Sequence, residues 1–421
     1  MRKLASVVEI ATCDPIENSD RLSVATMVGK GWRVVTSRDE FKPGDLCVYF
    51  EIDSALPADD SRYEFLRERC LRKFVTKSGN VLKEVLRIKT VKLRGVISQG
   101  LLMPLSAFVG KDKEIQERIE PATQENCVAE DGKPLTADDL KGLTVSTLTA
   151  KVLHAGTADC EAWKETIEVA SGSDLTSLLH VEHYDEVAEA LRPATGGNPL
   201  SADAMGKFPT DFIPKTDEER IQNLADFFTT MPKDKTFEIT EKNDGSSVTM
   251  FYSKRIDAEN PFGVCSRNLR LKPQTAAGVV PLAWQIAAKY DAESQIKAKC
   301  ERIGCELAFQ GELVGPGVNG NRDLYKDHEW HVFKIYDVTN GMYLPPCAVR
   351  DICKECGFTH VPVIEEECKV FERFHSVDEL LKFAEGKTAA GHEREGLVFK
   401  SCDLPMVSFK AVSNRYLLKQ E

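Results

Sequence analysis

The chain has 421 residues, 42% of them hydrophobic and 29% charged, with a formal net charge of −11. That is enough apolar material for more than one core, and the length suggests two or three domains. No run approaches the roughly 18 apolar residues that cross a bilayer. The opening MRKLASVVEIATCDP also lacks the apolar stretch of a secretory signal, so an intracellular protein with no membrane partner is expected. Thirteen cysteines at scattered spacings read as free thiols of a reducing compartment. Of the densest group, Cys347, Cys353, Cys356 and Cys368, only the middle two have a zinc-like spacing. ICKECGF reads better as a helix end capped by Gly357.

The negative total argues at first against a nucleic-acid partner, but the charge is unevenly placed. Residues 62–94 hold 11 Lys/Arg against 3 Asp/Glu, whereas residues 111–200 hold 8 against 18. A local basic face can gather phosphates whatever the global sum, because exposed charges are screened beyond roughly 8–10 Å.

In chain order, residues 1–110 contain the runs ASVVEIAT, RLSVATMV, GWRVVTS, LCVYFEID, VLRIKTVKL and VISQGLLMP, broken by turn signals such as GKG, FKPGD and RGV. Five or six short strands here fit a small closed β-barrel of the OB type, which commonly binds oligonucleotides. The basic excess makes it an RNA-binding candidate, with Arg87, Lys89, Lys92 and Arg94 as the expected contacts. Residues 111–205 read as an acidic intervening segment and linker, with VEHYDEVAEALR helical and AEDGKPLTADD and RPATGGNPLSADA irregular.

From residue 206 to 421 strands and helices mix, giving an α+β domain with antiparallel sheets. FIPKTDEERIQNLADFFTTM is expected to be a helix with acidic residues in its first turn. FEITEK and SSVTMFYSK, separated by Asn-Asp-Gly, are expected to pair as a hairpin that leaves Lys242 at its edge. PLAWQIAAKYDAESQIKAKCERI is helical in pattern, and CELAFQGELVG, HVFKIYDV, GLVFKS and VSFKAV read as strands.

Lys242-Asn243-Asp244-Gly245 carries little weight alone, but it is followed in order by CSRNLRLK (265–272), FQGELVG (309–315), HVFKIYDV (331–338), EGLVFKS (395–401) and VSFKAVSNRYLL (407–418). With EKNDGSS, these runs resemble motifs I, Ia, III, IIIa, IV and V of the covalent nucleotidyltransferases, which include ATP- and NAD-dependent ligases and mRNA capping enzymes. FIPKTDEERIQN, GELVGPG and FKAVSNRYLL look like the RNA ligase 2 branch. GWRVV, EFKPGDLCVYFEIDSALP and KLRGVISQGL resemble the OB module of the RNA ligase 5 group. The resemblance leaves the acidic middle unexplained.

It implies an ATP-dependent RNA ligase that joins a 3′-hydroxyl to a 5′-phosphate through lysyl-AMP and adenylylated RNA. Lys242 matches the nucleophile. An amine with a pKa near 10.4 needs about 4–5 kcal/mol to reach its neutral form at pH 7, so positive charge must be brought beside it. The resemblance assigns that charge to Mg²⁺ or Mn²⁺, held by Asp244, Glu312 and Glu395 through water, with a second ion on the ATP phosphates. It also puts Phe333 against adenine, Glu241 beside the base, Arg267 near the ribose and the RNA terminus, and Lys400 and Lys410 at the nucleotide. Lys410 is expected on the α-phosphate. One departure is Ser408, where motif V often has a lysine, so another cation is needed there or Lys410 suffices.

A capping guanylyltransferase or a DNA ligase would normally carry an OB domain after motif V, and only 11 residues follow Lys410. A non-catalytic RNA-binding protein with a decayed ligase domain is the other alternative. Retention of Lys242, Asp244, Glu312, Glu395 and Lys410 together argues against it. A monomer is expected.

Overall fold

The structure is a computed structural model that describes residues 3–123, 127, 136, 140–154, 163–191, 204–275, 277–388 and 391–419. The two irregular stretches, 129–139 and 192–204, lie almost wholly outside the described residues. The chain divides into two compact units, Met1–Val28 with Trp32–Gly197, and Gly29–Gly31 with Asn198–Glu421.

In the first unit, the long strand Ala5–Pro15 lies between Leu46–Phe50 and Leu22–Met27, with Leu101–Pro104 and Arg33–Ser37 as the outer strands, all antiparallel. Its apolar residues Leu4, Val7, Val48, Phe50 and Met103 enter one core. The expected single run VISQGLLMP is two strands, Val96–Gln99 and Leu101–Pro104, broken at Gly100. Gly100 has φ +104, and a Cβ there would lie 2.3 Å from the Tyr49 ring, so both backbone and space require glycine. VLRIKTVKL is likewise divided, into the end of Val81–Arg87 and the start of the hairpin Thr90–Leu93/Val96–Gln99. Arg94 and Gly95 form the hairpin's two-residue tip, both left-handed with φ 48 and 86.

Part of the acidic middle folds into the same unit. Ile115–Pro121, Thr144–His154 and Trp163–Glu168 make a three-stranded antiparallel sheet. Ile115, Ala150, Val169, Leu175, Leu179 and Val181 share the core of Val7 and Phe50. Tyr184–Leu191 is a helix, as its sequence suggests.

The second unit is built on two sheets. The larger runs Ala204–Lys207, Leu269–Leu271, Phe262–Ser266, Ser246–Tyr252, Leu307–Val314, Glu329–Asp337, Met342–Tyr343, with Thr359–His360 parallel to Glu329–Asp337. Helices Leu282–Lys289, Ala292–Ile303 and Pro346–Cys356 close its core through Ile286, Ile296, Ile352 and Cys353 against Phe309 and Trp330. The third of these ends at Gly357, which is left-handed at φ 70. The smaller sheet runs Glu219–Arg220, Ser408–Val412, Gly396–Ser401, Phe237–Lys242, Val363–Cys368. Phe371, Leu380 and Leu381 cover its apolar side.

Two expectations are overturned here. FEITEK and SSVTMFYSK do not pair as a hairpin: Phe237–Lys242 lies between Gly396–Ser401 and Val363–Cys368, whereas Ser246–Tyr252 lies between Phe262–Ser266 and Leu307–Val314. Lys242-Asn243-Asp244-Gly245 is therefore the passage from one sheet to the other. Nor is 212–231 one helix. Glu219–Arg220 pairs in parallel with Phe409 and Lys410, a 3₁₀ turn covers Ile221–Asn223, and only Phe227–Thr230 is α-helical. The acidic residues that suggested a helix start instead answer buried lysines: Asp217 accepts from Lys410 at 2.8 Å, and Glu218 pairs with Lys334 and Ser408. Ion pairs to buried partners outweigh the fraction of a kcal/mol of propensity that a helical first turn offers.

One half-buried group in this unit gives a clean pH prediction. His360 donates from Nδ1 to the Val361 carbonyl at 2.7 Å, and burial, with Lys400 nearby, pushes its pKa down to about 4. Its folded-state value lies below the ordinary 6.5, so the unfolded chain binds the extra proton between those values. Its contribution is then full above about pH 6.5 and is lost as the pH falls toward 4. His360→Gln is expected to flatten that loss by roughly 2 kcal/mol, read from urea unfolding at pH 7 and pH 4.5. An unchanged difference between the two pH values would contradict it.

Candidate active site

Lys242 ends its strand opposite Gly396, which puts its amine beside the residue preceding the neighbouring strand. Its Nζ donates to Glu395 Oε1 at 2.6 Å. Burial pulls the Lys242 pKa down, but Glu395, Glu312 and Asp244 together outweigh that and hold it above the ordinary value. In this arrangement the amine is an ammonium.

Gly245 makes the passage between the sheets tight. A Cβ there would stand 2.4 Å from the Leu313 carbonyl oxygen and 2.9 Å from Glu312 Cγ, so only glycine lets the bend lie against that strand. Asn243 is anchored by its side chain to His331 Nδ1, and His331 Nε2 meets Glu329 at 2.9 Å. These contacts bring Asp244 and Glu312, from different elements, to the lysine.

Glu312 is strongly perturbed. Its pKa is raised to about 8, chiefly by burial, with Lys242 and Arg267 opposing the rise and Glu395 and Asp244 adding to it. Glu241 and Asp323 are also pushed up, each chiefly by burial. Such an accumulation of buried negative charge is relieved by a hard cation with oxygen ligands, so the donor set fits Mg²⁺ or Mn²⁺. Among the described residues, however, no three His, Cys, Asp or Glu side chains are gathered closely enough to enclose an ion directly. Asp244, Glu312 and Glu395 fit the role through intervening water.

Asp244 is fixed more firmly than the sequence suggested. Tyr416 donates to its Oδ2 at 2.6 Å, Asn319 donates to its Oδ1, and Arg322 stands 3.4 Å from Oδ2. Asn319 and Arg322 belong to the segment after GELVG, and Tyr416 to the short helix Asn414–Leu418, whose cap Ser413 accepts from the Tyr416 amide. None of the three was a candidate at the sequence level. Tyr416 lay within the motif V run, but nothing local marks its partner.

The remaining candidates fall into two groups. Lys410, on the strand beside Gly396–Ser401, is buried and held by Asp217. Burial lowers its pKa, with Arg220 and Lys242 adding to the effect and Asp217 opposing it. Lys400 lies deeper. It is 2% exposed, donates to the Phe333 carbonyl at 2.8 Å and stands 3.6 Å from Glu238; burial depresses its pKa to about 8. Phe333 itself is half-buried at a bulge, where Gln310 pairs with Lys334 and Gly311 with Val332. The Ser408 hydroxyl receives Lys334 Nζ at 3.2 Å and donates to Glu218, so a lysine from another strand reaches the position where motif V lacks one. Glu241 is buried and its amide donates to the Pro362 carbonyl at 2.9 Å, and Arg267 is exposed just after Phe262–Ser266.

In the first unit, the four expected RNA contacts are not equivalent. Arg87 pairs with Asp53 at 3.0 Å and lies over the Tyr184 ring at 4.2 Å, so it is committed within its own unit. Lys89 is half-buried, and Lys92 and Arg94 are exposed on the hairpin that turns at Arg94 and Gly95.

Comparison with known proteins agrees with this geometry. The family described as RNA ligase matches residues 235–416, and an OB-fold domain family matches residues 4–105. The chain belongs with the ATP-dependent RNA ligases. Among solved structures, it is similar to a Naegleria gruberi RNA ligase. A glutamate-to-alanine mutant of that enzyme with AMP and Mn shows 27% identity and a TM-score of 0.71 over 100% of this chain and 99% of that one. A lysine-to-alanine mutant with ATP and Mn shows 27% identity and a TM-score of 0.70 over 99% of both chains. The ligase with PPi gives 27% and 0.71 over 100% and 99%. No curated protein sequence matches the chain. Among the described residues, no helix of this ligase is long and apolar enough to cross a membrane.

Proposed function

We propose that the ligase seals RNA through three displacements at phosphorus, with Lys242 as the nucleophile of the first. Its Nζ attacks the α-phosphorus of ATP, a P–N bond forms, and pyrophosphate leaves with the bridging oxygen. A 5′-phosphate oxygen of RNA then takes the AMP, releasing the amine. A 3′-hydroxyl finally attacks the 5′-phosphorus, and AMP departs.

The observation that carries this reading is the Lys242–Glu395 contact at the passage between the two sheets, with Glu312 and Asp244 facing it. Bound among Asp244, Glu312 and Glu395 through water, Mg²⁺ or Mn²⁺ would supply the positive charge that disfavours the ammonium form. Lys410, once it exchanges Asp217 for the α-phosphate, neutralises charge developing on that group. Phe333 offers a face for adenine, and Lys400 fixes the backbone beneath it. Glu241 lies beside the base, and Arg267 toward the ribose and the RNA end.

Incubation with α-³²P-ATP or α-³²P-GTP tests the reading. Labelling of the protein by ATP alone, followed by sealing of a 5′-phosphate to a 3′-hydroxyl RNA, is the expected result. Labelling by GTP would indicate a capping activity, and no labelling would indicate a decayed site.

The domain arrangement we favour puts RNA binding in residues 1–110 and the nucleotide chemistry in 206–421, with 111–205 intervening in sequence and in part packed into the core of the first unit. We take the ligase to be intracellular, on its free cysteines, and a monomer. On the RNA platform, Lys92→Glu and Arg94→Glu are each expected to lower the slope of log affinity against log salt by about 0.7–0.9, as loss of one phosphate contact does. Arg87→Ala is expected to leave that slope unchanged and instead to lower stability, because Asp53 and Tyr184 lose their partner. Anisotropy titrations between 50 and 200 mM salt measure the slopes; the opposite pattern would move the platform elsewhere.

A further inference from the structure

Asp244 is caught between two parts of the chain that the motif scheme does not connect. One is the segment following Leu307–Val314. It carries three non-glycine residues in the left-handed region, Asn319, Asn321 and Leu324, at φ 41, 45 and 54. Asparagine adopts that conformation readily, but leucine does so only under strain, so the segment is held in this shape by what it contacts. The other part is the C-terminal helix Asn414–Leu418, whose single buried side chain is Tyr416.

Their donors divide the carboxylate cleanly. Asn319 takes Oδ1 and Tyr416 takes Oδ2. Arg322 ties the two parts together, with its guanidinium 5.1 Å from the centre of the Tyr416 ring and 3.4 Å from Asp244 Oδ2. Asp244 is 8% exposed and Tyr416 is 6% exposed, so the contact lies out of bulk water. A buried carboxylate with one directed donor on each oxygen has its plane fixed, while each oxygen keeps a lone pair for a further partner. Asp244 thus stays out of a direct contact with Lys242, which Glu395 occupies instead.

We infer that Tyr416 and Asn319 are positioning residues. They fix the Asp244 carboxylate in the orientation from which it holds the water shell of the divalent cation, and they tie that orientation to the docking of the C-terminal helix. This rests on the reading above that Asp244 serves the cation. Outer-shell partners of this kind typically change metal affinity by about 10–100-fold when they are removed.

The test uses the full-length ligase with Mn²⁺ alone as the probe. Binding is read from loss of the free-ion EPR signal, and the Mn²⁺ half-saturation of lysyl-AMP formation is measured alongside. Tyr416→Phe, which keeps the ring under Arg322, and Asn319→Ala are each expected to weaken Mn²⁺ by about tenfold. The double variant is expected to be no worse than Asp244→Asn, since all three act on one carboxylate. Saturating Mn²⁺ should restore most of the adenylylation rate to the single variants, which a general loss of folding would not allow. If Asp244→Asn weakens Mn²⁺ while both single variants stay within twofold of the parent protein, the positioning role is overturned and the metal reading stands. If Asp244→Asn itself leaves Mn²⁺ binding and half-saturation unmoved, the metal reading of Asp244 falls and takes this inference with it.

Discussion

Replacing Lys242 by alanine is expected to leave a folded ligase that takes no AMP from ATP. The side chain packs no core: it is 27% exposed and its one directed contact is the ion pair with Glu395. The pair is part-exposed on the lysine side, and its removal takes away no core packing, so the variant should still unfold cooperatively. The chemistry has no substitute. Lys400 and Lys410 are both buried and engaged, the one by Glu238 and the Phe333 carbonyl, the other by Asp217. Adduct formation should therefore fall by more than about a thousandfold, as it does when a covalent nucleophile is removed. Phosphor imaging after α-³²P-ATP reads the loss directly, and a labelled variant would remove Lys242 from its role. RNA adenylylated beforehand separates the steps: if the variant still seals it, the lysine serves the first two displacements only.

The second large effect lies with the three carboxylates. Asp244→Asn, Glu312→Gln and Glu395→Gln each keep the shape of the side chain while replacing one acceptor oxygen by an NH2 donor and removing the ability to carry a negative charge. Each should slow adenylylation by about tenfold to a hundredfold, the range seen when ligand spheres are altered. They should not behave alike. Glu395→Gln also loosens the 2.6 Å hold on the Lys242 ammonium, so part of its loss should be offset by easier deprotonation. Glu312→Gln removes for good the carboxylate that a cation would draw out of its raised-pKa, protonated form beside Glu395 and Asp244, with no such compensation, and should be the slowest. Rates measured over a Mg²⁺ and a Mn²⁺ titration check this; full activity in chelator, or in two of the three variants, would contradict it.

Much of the candidate site could be read from the sequence because the chemistry that the resemblance implies restricts residue types at short spacings. The lysine of EKNDGSS, the glutamates of GELVG and EGLVF and the lysine of FKAVSN recur within runs whose alternation also marks them as strands. What was misread failed where local preference and distant partners disagreed. Asn-Asp-Gly is a good hairpin turn, yet Gly245 is pressed against the Leu313 carbonyl, and Leu313 is on a strand that begins more than sixty positions later. Lys-Thr-Asp-Glu-Glu-Arg has the composition of a helix start, but Asp217 and Glu218 are spoken for by Lys410 and Lys334. The partners of Asp244 could not be inferred at all: Asn319 is 75 residues away and Tyr416 is 172 away. Arg87 illustrates the same limit in the first unit. Its charge was visible, but its commitment to Asp53 and Tyr184 was not.

The parallel pairing of Glu219–Arg220 with the strand of Lys410 decides where this half of the protein can be cut. All six nucleotidyltransferase motifs lie after residue 235, where the RNA ligase family match also begins, so a boundary drawn from them alone would begin there. A chain trimmed to that point would keep all the chemistry-bearing residues. It would also strip Asp217 from Lys410 and Glu218 from Lys334, two lysines that are only 8% and 5% exposed. Stranding one member of a buried pair such as Lys334–Glu218 costs about 3–5 kcal/mol, whereas the Lys410–Asp217 pair, with its aspartate half exposed, counts for less. The smallest autonomous adenylylating piece is therefore expected to start upstream of Lys215, and the stretch that resembles a mere lead-in is a portion of the scaffold that neutralises two of its buried lysines.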